Sequence, residues 1–361
     1  MKRIVLLCLV ALMIFSLVAC GKQQPEAPTT EPTTTEPITE PPTEPTEPEI
    51  LYRNPLNGEP LDEPYAGRPT AVVINNLVDA LPHYGTADAD FIFELETESD
   101  ITRMLAVYDE IEPIGQIGPV RSDRTFFNNI ACSFDATIVH CGGSVRGRNG
   151  GYEDSSAKVP NWAHLDATYY EGSYFYRDND RYKSQGYNWE HCLFTNGEKI
   201  MAGLTKLEIA DPTDRSTDFG LQFDEEPGLS GAAATEVTAV FNGGKTTTFT
   251  YDAENKVYKT SQYGADYIDA NSGEIVSFRN VMVLYTDQWK RSDGEYPRSY
   301  YTLFGEGEGL LAIDGKIVAI KWSRESLDSN FVFTLADGTP VTLGVGSTYV
   351  AITPNTETEY K

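Results

Sequence analysis

From Tyr52 onward, short apolar runs alternate with turn residues, and their spacing predicts the elements of the fold. Asn54-Pro55-Leu56-Asn57-Gly58 is turn chemistry ahead of the first core strand. Thr70-Ala71-Val72-Val73-Ile74-Asn75 is a short run rich in β-formers. Phe91 to Glu98 alternates apolar and acidic residues and reads as a half-buried strand, with Glu94, Glu96 and Glu98 sharing the other face. Met104 to Tyr108 is a further apolar run. Phe126, Phe127, Ile130, Ala131 and Phe134 recur at helical spacing, so a helix is expected over 125–134, capped by Ser122 or Asp123. Ala136 to His140 reads as a strand running into Gly142-Gly143-Ser144. Strands mixed with a helix predict an α+β or α/β domain over residues 50–210.

Residues 145–190 are rich in Tyr, Gly, Asn and Asp and have weak periodicity, the character of long loops that carry sites. Residues 211–234 read as a linker. The pattern then becomes all-β. Val237, Ala239 and Phe241 alternate, as do Val281, Val283 and Tyr285, and Asp314-Gly315 and Asp337-Gly338 each sit between apolar alternating runs. A small antiparallel β domain is expected over 235–354, with a tail over 355–361. Its Trp289 and Trp322 suit cross-strand packing better than sugar stacking.

The first residues are of another kind. Lys2 and Arg3 precede an uncharged apolar run from Ile4 to Ala19, which ends in Leu17-Val18-Ala19-Cys20. This is a signal peptide over 1–19 with a lipobox, so Cys20 is the expected lipidation site. The apolar run falls short of the roughly 20 residues of a membrane span. Residues 22–49 hold eight Pro, eight Thr and seven Glu, too little apolar surface to fold. Residues 20–49 therefore read as a lipidated Cys with an extended spacer, about 90 Å long if fully stretched. The expected location is the extracytoplasmic face of the cell membrane.

The formal charge of −26 argues against nucleic acid as a partner and makes local arginine clusters informative. Cys132, Cys141 and Cys192 remain after processing, as one disulfide plus a thiol or as three buried thiols. The sharpest local signal is Gly118-Pro119-Val120-Arg121-Ser122-Asp123-Arg124. Cations at a helix start are unfavourable unless an anion offsets them. That anion is either a bound phosphate or carboxylate or one of Glu94, Glu96, Glu98 and Asp123. Glu94 and Glu98 are candidates for acid–base work, or else the solvent face of their strand. Gly142, Gly143 and Ser144 can cradle an anion or form a tight turn, with Arg146 and Arg148 close by in sequence. His140-Cys141 and His191-Cys192 carry zinc-ligand types, but adjacent strand residues face opposite ways and the spacing is wrong, so no metal is expected. No cofactor motif is present, and none is expected.

These residues in order resemble the YerB-like lipoprotein family, built of two domains of unknown function. The likeness spans nearly all of 52–354. It rests on Asn54–Gly58, Arg68-Pro69, Val72–Asn76, Ala89-Asp90, Glu94, Glu98, Ile101-Thr102-Arg103, Ile117–Ser122 with Arg124, His140, Gly143-Ser144, Arg177-Asp178 and His191. In the second half it continues through Asn280-Val281, Gly315-Lys316, Trp322, Asp337-Gly338, Gly346 and Tyr349-Val350. Ser99-Asp100 stand where the family carries Gly-Gly, and Cys192 where it carries Asn. The resemblance implies a lipoprotein on the outer face of the membrane of a Gram-positive-type bacterium. It also groups Glu94, Glu98, Arg103, Arg121, Arg124, His140 and His191 in one recurring set.

The expected function is a non-catalytic envelope protein that holds an anionic ligand with Arg103, Arg121, Ser122, Arg124, Gly142, Gly143, Ser144, Arg177 and Asp178. Its partners are a cell-wall polymer, a lipid-linked precursor or a protein of the wall machinery. The alternative is a wall-active hydrolase or transferase, with Glu94 or Glu98 as acid or base, Arg103 and Arg121 holding substrate, and His140 or His191 moving a proton.

Overall fold

The computed structural model describes residues 52–152, 158–159, 162–209, 217–292 and 297–361. The expected signal peptide, Cys20 and the spacer lie outside the described residues. Among the described residues no helix is long and apolar enough to cross a membrane.

The apolar runs assemble into one large sheet. Its strands are β1 (Thr70–Asn75), β2 (Phe91–Glu96), β3 (Thr102–Tyr108), β4 (Thr137–His140), β5 (His164–Asp166), β6 (Ala232–Ala233), β7 (Asn280–Tyr285), β8 (Gly305–Ile313), β9 (Lys316–Arg324), β10 (Val332–Leu335) and β11 (Thr348–Thr353). The spatial order is β6-β9-β8-β7-β11-β2-β3-β1-β4-β5, with β10 also on β9. β2, β3 and β1 pair antiparallel, and β1, β4 and β5 pair parallel. β11 lies parallel between β7 and β2, so strands from both halves of the chain share this sheet. Residues 49–361 accordingly form one compact unit.

β1, β2, β3 and β11 are buried along their whole length. Period-two alternation sends their side chains into two cores. On one side Val72, Ile74, Ile92, Met104 and Tyr349 pack against Val237, Ala239, Phe249 and Tyr258 of a second, antiparallel sheet. On the other, Ala71, Val73, Phe91, Phe93 and Val350 pack against Phe126, Phe127, Ile130 and Phe134, on and just after helix α1 (Thr125–Ser133). Cover on both faces is why these runs are apolar throughout. It also corrects the reading of 91–98 as half-buried. Glu94 and Glu96 face the second sheet rather than water, and Glu98 stands in the turn after β2.

The structure is mostly sheet with few helices. Its C-terminal part is chiefly antiparallel strands, including the second sheet (Glu236–Asn242, Lys245–Asp252 and Val257–Gln262 at its centre). Parallel exceptions are β7 with β11, and Gln222–Asp224 with Thr342–Gly344. The β8–β9 hairpin turns on Asp314 (φ 54°) and Gly315 (φ 70°), both left-handed as such a two-residue turn demands. Within 211–234, Gln222–Asp224 and β6 are paired strands, and Glu359–Tyr360 joins the edge of the second sheet. Trp322 is buried in the core.

Candidate ligand-binding site

The parallel strands β1, β4 and β5 end at Asn75, His140 and Asp166. The segment leading into α1 crosses these ends. Arg121 N–H donates to Val73 O (2.9 Å), Cys141 N–H to Arg121 O (2.9 Å) and Asp123 N–H to Gly142 O (3.0 Å). A Cβ on Gly143 would stand 2.9 Å from Asp123 O, so only glycine allows this approach. Open sheets place ligands outside the carboxyl ends of parallel strands, and most of the residues singled out in the sequence gather here.

Glu98 ties two arginines together. It accepts from Arg103 Nη2 (2.9 Å) and from Arg124 Nε (3.0 Å) and Nη2. Arg103 Nη1 also donates to Ser122 O (3.0 Å), and Arg124 Nη1 to Asp123 O (2.6 Å). Burial would raise the Glu98 carboxyl, but Arg103 and Arg124, with Arg298 behind them, outweigh it and hold it at about 2. Arg124 is itself the N-cap residue of α1, in place of the expected Ser122 or Asp123, and Asp123 Oδ1 accepts its N–H (2.6 Å). The helix-start cation is thus offset from within the chain.

Glu94 is more enclosed still. Its carboxylate accepts from Asn76 Nδ2 (2.6 Å), Thr102 Oγ1 (2.5 Å), Thr247 Oγ1 (2.7 Å) and Tyr349 OH, and pairs with Lys245 Nζ (3.1 Å). Burial pulls the Lys245 amine below its ordinary value despite the Glu94 charge. This is a buried ion pair that locks the large sheet to the second sheet. Glu94 is enclosed by five donors and Glu98 is engaged by two arginines, and neither forms the solvent face of a strand.

Arg121 differs. Its Nη2 pairs with Glu190 (2.8 Å), whose side chain is 51% exposed, and its Nε has no partner. Next to Glu190, His191 is held by Asn75. Leu77 N–H donates to Asn75 Oδ1 (3.3 Å), so Asn75 Nδ2 donates to His191 Nδ1 (2.8 Å) and the ring proton sits on Nε2, facing Glu190 (3.9 Å). Burial, against the Glu190 charge, holds His191 below its ordinary value. Arg177 forks onto Glu171 (3.1 Å, twice), donates to Trp189 O (2.9 Å) and lies 4.9 Å from the Trp189 ring centroid. Asp178 caps the short helix Asn179–Lys183 through Arg181 N–H (3.0 Å). Glu98, Arg103, Arg121, Arg124 and His191 are therefore neighbours, while Glu94 belongs to the buried interface.

The glycine turn is committed internally. Gly142 N–H donates to Asp166 Oδ1 (2.7 Å) and Ser144 N–H to Asp123 O (3.2 Å), so two of the three amides expected to cradle an anion are taken. Beside it lies a group the sequence did not single out. Gly142 O can only accept, so His140 Nδ1 donates to it (2.8 Å), and His140 Nε2 is hydrogen-bonded to His164 Nδ1 (3.0 Å). His164 stacks on Trp162 (centroids 3.8 Å apart) and is held near 4 by burial and then by His140. The alternation of His164 and Asp166 along β5 was its one sequence signal. Cys141 and Cys192 are free thiols, and Cys132 is buried. Among the described residues no group of three or more His, Cys, Asp or Glu is placed to hold a metal ion.

The model described as "Protein of unknown function (DUF3048) N-terminal domain" matches residues 56–210, and its C-terminal counterpart matches 237–350. The chain belongs to the DUF3048 family. A DUF3048 relative from Bacillus subtilis (strain 168), named "Putative lipoprotein YerB", is 25% identical over 369 residues, covering 98% of this chain and 96% of the relative. A crystal structure of the YerB protein from Bacillus subtilis superposes with a TM-score of 0.71 at 23% identity, covering 86% of this chain and 99% of that one. This second likeness speaks for the fold.

Proposed function

We propose that this DUF3048 protein is lipid-anchored on the outer face of the cell membrane and binds, without transforming it, an anionic ligand of the envelope at Arg121. The lipobox and spacer support the location. One observation carries the binding reading: Arg121 has a partly exposed side chain whose ion pair among the described residues is to a half-exposed carboxylate, Glu190. Glu190 stands half in water and is readily solvated when released, so an incoming phosphate or carboxylate can take its place on Arg121. Arg124 and Arg103, named earlier as ligand contacts, are held by Glu98 in a buried knot and serve to position the Arg121 segment. The wall-active hydrolase reading loses ground because Glu94 is enclosed by five donors and Glu98 is held charged by Arg103 and Arg124.

Thermal unfolding of the unit 49–361 against phosphorylated cell-wall fragments tests this. A ligand of the native state raises the midpoint by mass action. We expect a rise for the parent and none for Arg121→Ala. Equal rises in both proteins would sink the reading.

A further inference from the structure

We infer that the anion bound at Arg121 is carried on a saccharide ring, and that Trp189 and Tyr182 form the platform for that ring. The inference rests on the reading of Arg121 as the anion contact. Trp189 is 44% exposed and Tyr182 42% exposed, large values for residues of their size. Their ring centroids are 5.0 Å apart at 74°, an angled aromatic corner open to solvent. The corner is built rather than loose. Arg177 covers the Trp189 ring and bonds the Trp189 carbonyl, and is itself fixed by the two-point fork to Glu171.

The aromatic corner and the arginine are joined through consecutive residues. Trp189 belongs to the corner, Glu190 pairs with Arg121, and His191 is fastened to Asn75 at the end of β1. A pyranose ring presents an apolar C–H face suited to an exposed aromatic, and hydroxyls suited to carboxylates such as Glu171 and Glu190. A phosphate or carboxylate on the same ring meets Arg121. In a chain of charge −26, an anion without such a second contact is opposed by the field of the whole protein. A saccharide anion therefore uses both the aromatic corner and Arg121, whereas a bare phosphate leaves the aromatic corner idle.

The test is calorimetric titration of the unit 49–361 with N-acetylglucosamine 1-phosphate, glucuronate, inorganic phosphate and N-acetylglucosamine. We expect at least one of the two charged sugars to bind roughly tenfold or more tightly than inorganic phosphate, and the neutral sugar more weakly than either charged one. Which charged sugar binds separates phosphate-bearing from carboxylate-bearing glycans. Trp189→Ala and, independently, Tyr182→Ala should reduce the charged sugar to the level of inorganic phosphate, with unfolding midpoints confirming that both variants fold. Charged sugars that bind no better than phosphate, or that ignore both aromatic variants, overturn the saccharide and leave the anion reading standing. Charged-sugar binding that survives Arg121→Ala overturns the anion reading, and with it this inference. No binding of any probe overturns both.

Discussion

Two arginine sites within one short segment behave in opposite ways. Arg124, with Arg103, is nearly buried and shares Glu98, whose side chain is only 16% exposed. Arg121, three residues earlier, pairs with a carboxylate that stands half in water. What makes an arginine available to a ligand is the exposure of its partner rather than its place in a motif. Breaking the first pair strands charge in a low-dielectric interior, while breaking the second returns the Glu190 carboxylate to solvent and leaves Arg121 partly exposed.

The comparison can be broken at its strongest point first. Glu98→Ala leaves two buried guanidinium groups facing each other and should cost roughly 3–5 kcal/mol of unfolding free energy. Chemical denaturation measures this, and a loss under about 1 kcal/mol would mean the knot holds nothing together. Acid titration probes the same knot more gently. The Glu98 carboxyl lies at about 2 in the folded protein, below its ordinary 4.5, so its contribution is present above pH 4.5 and is lost as pH falls from there through 2. Asp123, raised to about 6 by burial, and Asp90, raised to about 7 by burial and then by Asp109, act with the opposite sign. Their contribution is complete below 3.8 and is lost as pH rises through 6 and 7. The midpoint of thermal unfolding should therefore rise on acidification from pH 8 to about 6.5; below that the buried imidazoles of His83, held at about 3, and His164, held at about 4, oppose the aspartates, and below 4.5 the loss at Glu98 adds to the fall. A monotonic fall from pH 8 would remove the raised aspartates from the account. The smallest effect is expected at Glu190. Glu190→Ala should change stability by no more than about 1 kcal/mol, yet tighten binding of inorganic phosphate by freeing Arg121. A loss as large as that of Glu98→Ala would erase the distinction between the two sites.

Local features were legible in the sequence and distant ones were not. The spacing of Phe126, Phe127 and Ile130 foretold α1, and Asp314-Gly315 its hairpin, because both depend on neighbours in the chain. Glu94 looked solvent-facing because its cover comes from Thr247, 153 residues away, and from Tyr349. The arginine segment stood out by composition, and pairing within the chain was among the readings of it. That Arg121 would take Glu190, leaving Glu98 to Arg103 and Arg124, needed the loop to return across the strand ends. His164 carried only its alternation with Asp166, and the hydrogen-bond chain through His140 is a product of β5 lying beside β4.

The place of β11 also governs how the molecule comes into being. Residues 348–353 fill the gap between β7 and β2. Without these residues the sheet would have a slit through its centre, its two lips lined by Phe91, Ile92 and Phe93 on one side and Val281, Met282 and Val283 on the other. Contacts so distant along the chain make for slow, late closure, and unpaired apolar edges invite self-association in the meantime. The large sheet is therefore completed by joining both halves of the chain rather than half by half.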